Sequence, residues 1–203
     1  TLQQKEISKS VLKRLPVYLS YLKAQTDGPA NISATALATA LNLGEVQVRK
    51  DLAMVSDGGR PKIGYNRIGL IDDIEQFLGY DNTTDAVLIG AGKLGQALMD
   101  YVGFDAYGLN ILAAFDICPP EDQSGIRKPI YPITQLESFC KSHKVLMGII
   151  TVPQKSAQEV CNLLIANGIK AIWNFAPVHL EVPEHILVQY ENMATSLAVL
   201  SMH

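Results

Sequence analysis

Apolar residues recur at helical spacing through the first seventy positions, in short stretches separated by turn-forming residues. Pro16 divides the first stretch, and because a proline inside a helix costs about 3 kcal/mol, it predicts the start of a second helix. Ser33 is a suitable N-cap for a helix over 34–41, and after a turn at 42–44 a further helix is predicted over 45–55. Two helices joined by a short turn that contains glycine form a helix-turn-helix.

The helix predicted over 45–55 has two different faces. One face carries the apolar stripe expected of a core, formed by Val48, Leu52 and Val55. The opposite side carries polar and cationic side chains, namely Gln47, Arg49 and Lys50. Lys and Arg on such a helix contact guanine or phosphate, and Gln contacts adenine, so a DNA-reading helix is predicted; an ordinary solvated surface is the alternative.

The segment 56–62 has the composition of a hairpin tip. It combines two glycines, a proline and the cations Arg60 and Lys62, and residues that favour β structure follow it: Ile63, Tyr65 and Ile68. A narrow basic hairpin beside a helix-turn-helix is the wing of a winged helix, and its two cations are predicted to enter a minor groove. A short amphipathic helix over 70–78 closes this domain, which we place at 1–79.

From residue 85 the pattern changes to apolar strands that alternate with helices. Strands are predicted over 86–89, 110–115, 145–152, 171–175 and 187–190, and helices over 94–101, 135–143 and 154–167. Continuous apolar strands of this kind form a parallel sheet with helices on both faces. The fold class is therefore α/β: an N-terminal winged helix-turn-helix domain, then a Rossmann-like parallel α/β domain over 85–191.

Charge is divided unequally between the two domains. Residues 1–70 contain ten Lys and Arg against five Asp and Glu, a net charge of +5, whereas residues 71–203 contain seven against fifteen, a net charge of −8. This asymmetry predicts that the first domain meets a polyanion, with chance clustering of solvated charge as the alternative. The chain has no apolar run near the roughly 20 residues that span a bilayer, and its three scattered cysteines favour reduced thiols in a cytoplasm.

A glycine-rich motif stands at the start of the second domain. Gly90, Ala91, Gly92, Lys93, Leu94 and Gly95 follow the first strand and open a helix, as in dinucleotide-binding proteins. In that motif Gly90 permits the tight turn, Gly92 admits a pyrophosphate, and Gly95 permits close packing of the helix on the sheet. A glycine-rich turn without a ligand is the alternative.

Asp116 ends the second predicted strand, about 20 residues beyond the glycines. A carboxylate there accepts hydrogen bonds from ribose hydroxyls and repels a 2′-phosphate, which favours NAD(H) over NADP(H). Asp116 as a simple turn residue is the alternative. The segments Thr151-Val152-Pro153 and Asn174-Phe175-Ala176-Pro177 lie at the ends of later strands, at the same edge of the sheet. They are predicted walls of the nicotinamide site, with simple strand-end loops as the alternative.

The sequence contains no recognisable arrangement of catalytic or metal-binding residues. His143, His179, His185 and His203 have no recognisable carboxylate partners, and no nucleophile triad or metal-ligand cluster stands out. The sequence thus predicts nucleotide binding without turnover and no metal site. Two alternatives stay open: an NAD-dependent oxidoreductase, and a regulator that binds CoA or another nucleotide.

Several motifs taken together resemble the Rex family of redox-sensing repressors. These are Gln47-Val48-Arg49-Lys50-Asp51-Leu52, the wing through Gly64-Tyr65-Asn66, the glycine loop, and Ile172-Trp173-Asn174-Phe175-Ala176-Pro177. The resemblance implies a homodimer that binds palindromic double-stranded operator DNA, senses the NADH/NAD⁺ ratio and releases the DNA when NADH binds.

The resemblance also implies a C-terminal helix, here 192–203, that is exchanged between the two protomers. Arg14 and Tyr101 resemble positions that join a carboxylate on the exchanged segment in the NADH form. This chain differs from that pattern, because Ala194 stands where the carboxylate is expected.

Overall fold

A boundary between Asn82 and Thr83 divides the chain into two units, each with its own hydrophobic core. The computed structural model describes residues 8–80, 82–191 and 201. The C-terminal helix expected at 192–203 therefore lies outside the described residues, except for Ser201.

Helices and one short β-ribbon form the first unit. Their bounds are α1 (Lys9–Ala24), β1 (Asn31–Ile32), α2 (Ala34–Ala40), α3 (Glu45–Val55), β2 (Tyr65–Asn66) and α4 (Arg67–Leu78). The side chain of Ser33 accepts a hydrogen bond from the Ala36 backbone N–H at 3.0 Å, as predicted for an N-cap. Val48 and Leu52 on α3 are fully buried, which confirms the core stripe of that helix.

Pro16 lies inside α1, so the prediction that it begins a new helix is wrong. The reason is the burial on the other side of the helix, where an uninterrupted stripe formed by Val11, Leu15, Tyr18, Leu19 and Leu22 packs into the core. Burial of each large apolar side chain contributes about 1.5–3 kcal/mol, so together they outweigh the hydrogen bond that the proline removes.

The wing is shorter than predicted. Arg60 and Gly64 form a single antiparallel bridge around the tip, and β2 pairs with β1 rather than with a strand of the wing. A Cβ atom at Gly64 would lie 2.3 Å from the Ile32 carbonyl oxygen, so the crossing requires glycine. Ile68 was expected in the wing but lies in the first turn of α4, because Asn66 caps that helix by accepting from the Gly69 N–H at 3.0 Å.

The second unit is built on a parallel sheet with the strand order β5-β4-β3-β6-β7-β8. Its elements are β3 (Thr84–Ile89), α5 (Lys93–Asp100), β4 (Leu109–Asp116), β5 (Ile130–Pro132), α6 (Leu136–Ser142), β6 (Met147–Ile150), α7 (Gln154–Ala166), β7 (Ala171–Asn174) and β8 (Leu187–Tyr190). Two 3₁₀ helices, Val102–Tyr107 and Ile133–Gln135, precede β4 and α6. The sequence did not predict β5, an edge strand of three residues that ends in a proline.

Both faces of this sheet are covered. Side chains of α6 and α7, such as Leu136, Cys161 and Leu164, share one core cluster with β-strand residues. Met99 of α5 belongs to a second cluster on the other face, where Phe104 and Trp173 also pack. A parallel α/β sheet with helices on both sides and a separate N-terminal helical unit confirms the predicted fold class.

Candidate functional site

A pocket of about 530 Å³ lies at the carboxyl edge of the sheet in the second unit. The predicted residues that line it are Gly90, Gly92, Leu94, Asp116, Thr151, Val152, Pro153, Phe175, Ala176 and Pro177. Lining residues that the sequence did not indicate include Ile117, Ile133, Ser156 and Val160. Most walls are apolar, as is usual for a site that holds a small organic molecule.

The three glycines of the loop have three different roles. Gly90 has a φ of +102°, and a Cβ atom there would lie 3.0 Å from the carbonyl carbon of Thr151. A Cβ atom on Gly95 would lie only 2.1 Å from the Gly90 carbonyl oxygen, so α5 packs here at a distance that only glycine allows. Nothing lies within 4 Å of the Cβ position of Gly92 in the described structure. Its backbone therefore faces open space at the N-terminus of α5, where an anionic group is favoured.

The Asp116 carboxylate connects the end of β4 to the glycine loop. Its Oδ2 accepts from the backbone N–H of Ala91 at 2.7 Å, and its Oδ1 accepts from that of Cys118 at 2.9 Å. A carboxylate offers about four lone-pair sites, so acceptor capacity remains for two hydroxyls. This arrangement suits the ribose of a nucleotide that enters beside Gly92.

Thr151 joins the glycine loop to the end of β6. Its hydroxyl lies 2.7 Å from the Gly90 carbonyl oxygen and 3.0 Å from that of Ile89, and it donates to this pair. Its backbone N–H donates to the Ile89 carbonyl at 2.9 Å. The hydroxyl proton is thus used within the protein, and Thr151 contributes to the pocket mainly as a fixed wall.

Asn174 lies behind the pocket wall rather than on it. Its side chain is fully buried, donates to the carbonyls of Ala176 and Val178 at 3.1 and 3.0 Å, and accepts from the Ala176 N–H at 3.0 Å. These bonds shape the loop that carries Phe175. Three further predicted residues, Ala91, Lys93 and Gly95, belong to the glycine loop without lining the cavity.

Asp116 is the charged side chain that lines the pocket within the described part of the chain, with the hydroxyls of Thr151 and Ser156 as further polar groups. None of the described histidines lines it. Over residues 8–80, 82–191 and 201, no group of three or more His, Cys, Asp or Glu side chains could hold a metal ion.

The predicted DNA-contact residues of the first unit are all solvent-exposed. Gln47, Arg49 and Lys50 lie on the outer surface of α3, and Arg60 and Lys62 lie on the wing. Arg49 forms an ion pair with Glu45 one turn earlier on the same exposed surface. The exposed face of α3 and the wing both carry cationic side chains.

Asp51 is a functional candidate that the sequence interpretation missed. It lies on the inner side of α3 with 3% of its surface exposed. Arg14 on α1 donates to both its oxygens at 2.7 and 2.9 Å, and the Tyr18 hydroxyl donates to Oδ2 at 2.8 Å. With its amide oxygen turned toward the guanidinium, Gln47 accepts from Arg14 Nη1 at 3.0 Å. The sequence did contain a signal for this site: Asp51 lies three positions after Val48, so a charged residue falls on the apolar face of the helix.

The Arg14–Asp51 pair shifts the titration of its neighbours. The hydrogen bond to Asp51 raises the pKa of Arg14 above its usual value. Burial, and then the Asp51 carboxylate, raise the pKa of Tyr18 to about 12. Both groups therefore keep their protons, and hence their hydrogen bonds to Asp51, well above neutral pH.

Tyr101 directly follows α5 and is 55% exposed. Its ring packs edge-to-face on Phe104, with the ring centroids 4.8 Å apart. The segment that the family resemblance pairs with Arg14 and Tyr101 lies outside the described residues. Their role as a switch stays a prediction.

Two family models match separate parts of the chain. One of a DNA-binding protein N-terminus matches residues 6–53, and one described as CoA binding domain matches residues 81–178. No helix in the described part of the chain has the length and apolar character needed to cross a membrane.

Relatives match nearly the whole length. The redox-sensing transcriptional repressor Rex of Treponema denticola is 41% identical to this chain. The Rex repressor of Clostridium novyi is 37% identical, and each alignment covers 98% of this chain and 96% of the relative.

Solved structures of a similar repressor also match. A crystal structure of the repressor RSP in complex with β-NAD⁺ and operator DNA has a TM-score of 0.90, at 33% identity over 98% of this chain and 92% of that one. RSP in complex with β-NADH has a TM-score of 0.87, also at 33% identity, over 98% and 94%. RSP itself is described as a Rex-family repressor. The chain belongs to the Rex family of redox-sensing transcriptional repressors.

Proposed function

We propose that this protein binds operator DNA as a homodimer through α3 and the wing, and that NADH in the pocket of the second unit releases it. One observation carries the proposal: the open backbone at Gly92 stands beside the Asp116 carboxylate in an otherwise apolar pocket. As a member of a repressor family, the protein is a regulator and not an enzyme.

The pocket favours NADH over NADPH, CoA and NAD⁺. The N-terminus of α5 at Gly92 receives the pyrophosphate, and Asp116 receives the ribose hydroxyls. A 2′-phosphate, as in NADPH, or a 3′-phosphate, as in CoA, would be repelled by this carboxylate. The apolar wall at Val152, Pro153 and Phe175 favours the uncharged reduced nicotinamide over the positively charged oxidised form.

On the first unit, the exposed cations fit double-stranded DNA. In this proposal Gln47, Arg49 and Lys50 on α3 contact a major groove. Arg60 and Lys62 on the wing contact a minor groove, and all five side chains are exposed. That a solved relative binds operator DNA together with NAD⁺ supports this assignment. A DNA-binding repressor acts where the chromosome is, so we expect the protein in the bacterial cytoplasm.

Dimer formation is supported by apolar surface on the second unit. Leu187 is 64% exposed and Val102 65% exposed. The β7–β8 register places Leu187 beside Ala171, and hence on the same face of the sheet as Trp173. Burial of these apolar side chains against a second copy of the chain would stabilise a dimer.

Titration of NADH with and without operator DNA, at one fixed salt concentration, tests the proposal. Linkage requires the operator to weaken NADH binding by the same factor by which NADH weakens operator binding. Equal NADH affinities in the two titrations would contradict the proposed release. Parallel titrations with NADPH and CoA test the ligand, because Asp116 predicts weaker binding of both.

A further inference from the structure

Four aromatic rings form a continuous series from the pocket wall to the surface of the second unit. The ring of Phe175 lines the pocket, and its centroid lies 4.8 Å from that of Trp173. Trp173 lies 5.6 Å from Phe104, which lies 4.8 Å from Tyr101, and both of these pairs are edge-to-face. The series therefore connects the inside of the pocket to an exposed tyrosine.

Strand geometry places the first two rings side by side. Phe175 directly follows β7 and packs in the same cluster as Trp173, whereas Ile172 and Asn174 alternate with them and are buried. Trp173 and Phe175 are only half-buried. Because closely packed rings transmit displacement, a ligand that moves Phe175 acts directly on Trp173.

Trp173 has a second, polar contact. Its indole Nε1 donates to Glu191 Oε1 at 3.0 Å, and the Glu191 backbone N–H donates to the Asn174 carbonyl at 2.9 Å. Glu191 directly precedes the segment 192–203. One side chain thus contacts the pocket wall, the rings that lead to Tyr101, and the residue from which the C-terminal segment departs.

We propose that Trp173 is a positioning residue that couples the occupant of the pocket to Tyr101 through Phe104 and to the C-terminal segment through Glu191. This inference rests on the proposed function, because it needs NADH-dependent release of DNA. A ligand shifts an equilibrium only through contacts that differ between the two states. Oxidised and reduced nicotinamide differ in charge, so they contact the Phe175 ring differently, and Trp173 receives that difference.

The experiment measures a coupling ratio on the full chain: the operator Kd at saturating NADH divided by the operator Kd without nucleotide. Phe104→Leu interrupts the rings, Glu191→Ala removes the indole acceptor, and Glu191→Gln keeps an oxygen acceptor there. Glu184→Ala is the matched control, since it also removes an exposed carboxylate of the second unit. Thermal unfolding of each variant verifies that it is folded.

We expect Phe104→Leu and Glu191→Ala each to reduce the coupling ratio by about threefold or more, with nucleotide-free operator affinity unchanged. Glu191→Gln and Glu184→Ala should keep the ratio of the unmodified protein. The proposal is overturned if either Phe104→Leu or Glu191→Ala keeps that ratio, or if Glu191→Gln loses it as fully as Glu191→Ala. A ratio of one in the unmodified protein would instead overturn the proposed function.

Discussion

The guanidinium of Arg14 holds the buried carboxylate of Asp51 on the inner side of α3, with Nε 2.7 Å from Oδ2 and Nη2 2.9 Å from Oδ1. This bidentate contact fixes the orientation of the guanidinium and of the carboxylate. It joins α1 to α3, and the same guanidinium contacts Gln47, which lies on the exposed surface of α3. The position of the proposed DNA-reading side chains thus depends on a pair in the core of the first unit.

The pair also affects what Arg14 can do as a switch. The family resemblance assigns Arg14 to a carboxylate on the exchanged segment, where this chain has Ala194. In this structure the Arg14 charge is already compensated by Asp51 within the first unit. A carboxylate from elsewhere would have to compete with a bidentate partner that is 3% exposed.

Asp51→Asn tests whether this pair supports DNA binding. The substitution keeps the size of the side chain but removes the charge that Arg14 and Tyr18 bind, so the free energy of unfolding should fall by about 2–3 kcal/mol. Operator affinity should fall as well, because Gln47 and α3 lose their fixed support. Asp57→Asn, an exposed substitution of the same type in the wing, is the control for urea unfolding and operator titration. Equal stability of the two variants would contradict a structural role for the pair.

Tyr18 predicts a specific dependence of stability on alkaline pH. Its pKa is raised from 10.0 to about 12 in the folded protein, so between these values the folded state holds a proton that the unfolded state has lost. The contribution of the Tyr18 proton to the free energy of unfolding is therefore complete below pH 10. It is lost as the pH rises toward about 12. Tyr18→Phe should remove this part of the pH dependence in urea unfolding, whereas Tyr21→Phe on the same helix should retain it. A Tyr18→Phe profile parallel to that of the unmodified protein would contradict the assignment.

Gly92 and Gly95 should respond in opposite ways to the same substitution. A Cβ atom on Gly92 meets open space, so Gly92→Ala should fold normally and reduce NADH affinity by about tenfold, because the methyl group occupies the path of the pyrophosphate. A Cβ atom on Gly95 meets the Gly90 carbonyl oxygen at 2.1 Å, so Gly95→Ala should lower the free energy of unfolding by about 1–3 kcal/mol. Thermal unfolding and NADH titration of both variants distinguish the two effects. Normal NADH binding by Gly92→Ala would remove this loop from the proposed site.

The sequence predicted the sheet and its glycine loop because both depend on local patterns. Buried parallel strands are continuous apolar runs, and the loop motif is read from consecutive residues. The edge strand β5 escaped prediction, because Ile130 is paired on one side by the side chain of Gln123, through bonds of 2.8 and 3.1 Å, and such pairing leaves no periodic signal. Pro16 was misjudged because packing outweighed a local preference.

The polar core of the first unit could not be predicted for a different reason. Arg14 and Asp51 are 37 residues apart, and their contact arises from the packing of α1 against α3. The apolar pocket walls at Ile117, Ile133 and Val160 also come from separate segments without a motif. A sequence motif identifies only those site residues that are consecutive in the chain. The other site residues come from separate segments and are brought together by folding.

Asp116→Asn should reduce the preference of the pocket for NADH over NADPH. The amide still accepts one hydrogen bond from the loop, but it no longer repels a 2′-phosphate. We expect NADH affinity to fall and the ratio of the NADPH and NADH dissociation constants to fall by about tenfold, while operator affinity without nucleotide stays unchanged. Asp122→Asn, a substitution of the same type outside the pocket, is the control. An unchanged ratio in Asp116→Asn would mean that this carboxylate does not face the ribose.

Lys50 and Lys62 should contribute to operator binding in different ways. Lys50 lies on the exposed surface of α3, so Lys50→Ala should weaken operator binding by about 1–3 kcal/mol and weaken binding to unrelated DNA much less. Lys62 lies at the wing tip, so Lys62→Ala should weaken binding to all sequences alike and reduce the slope of log K against log salt by about one. Lys170→Ala on the second unit is the control for charge alone. The measurement is a titration of the operator duplex and of an unrelated duplex at several salt concentrations. If Lys50→Ala loses affinity equally for both duplexes, Lys50 contacts phosphate rather than bases.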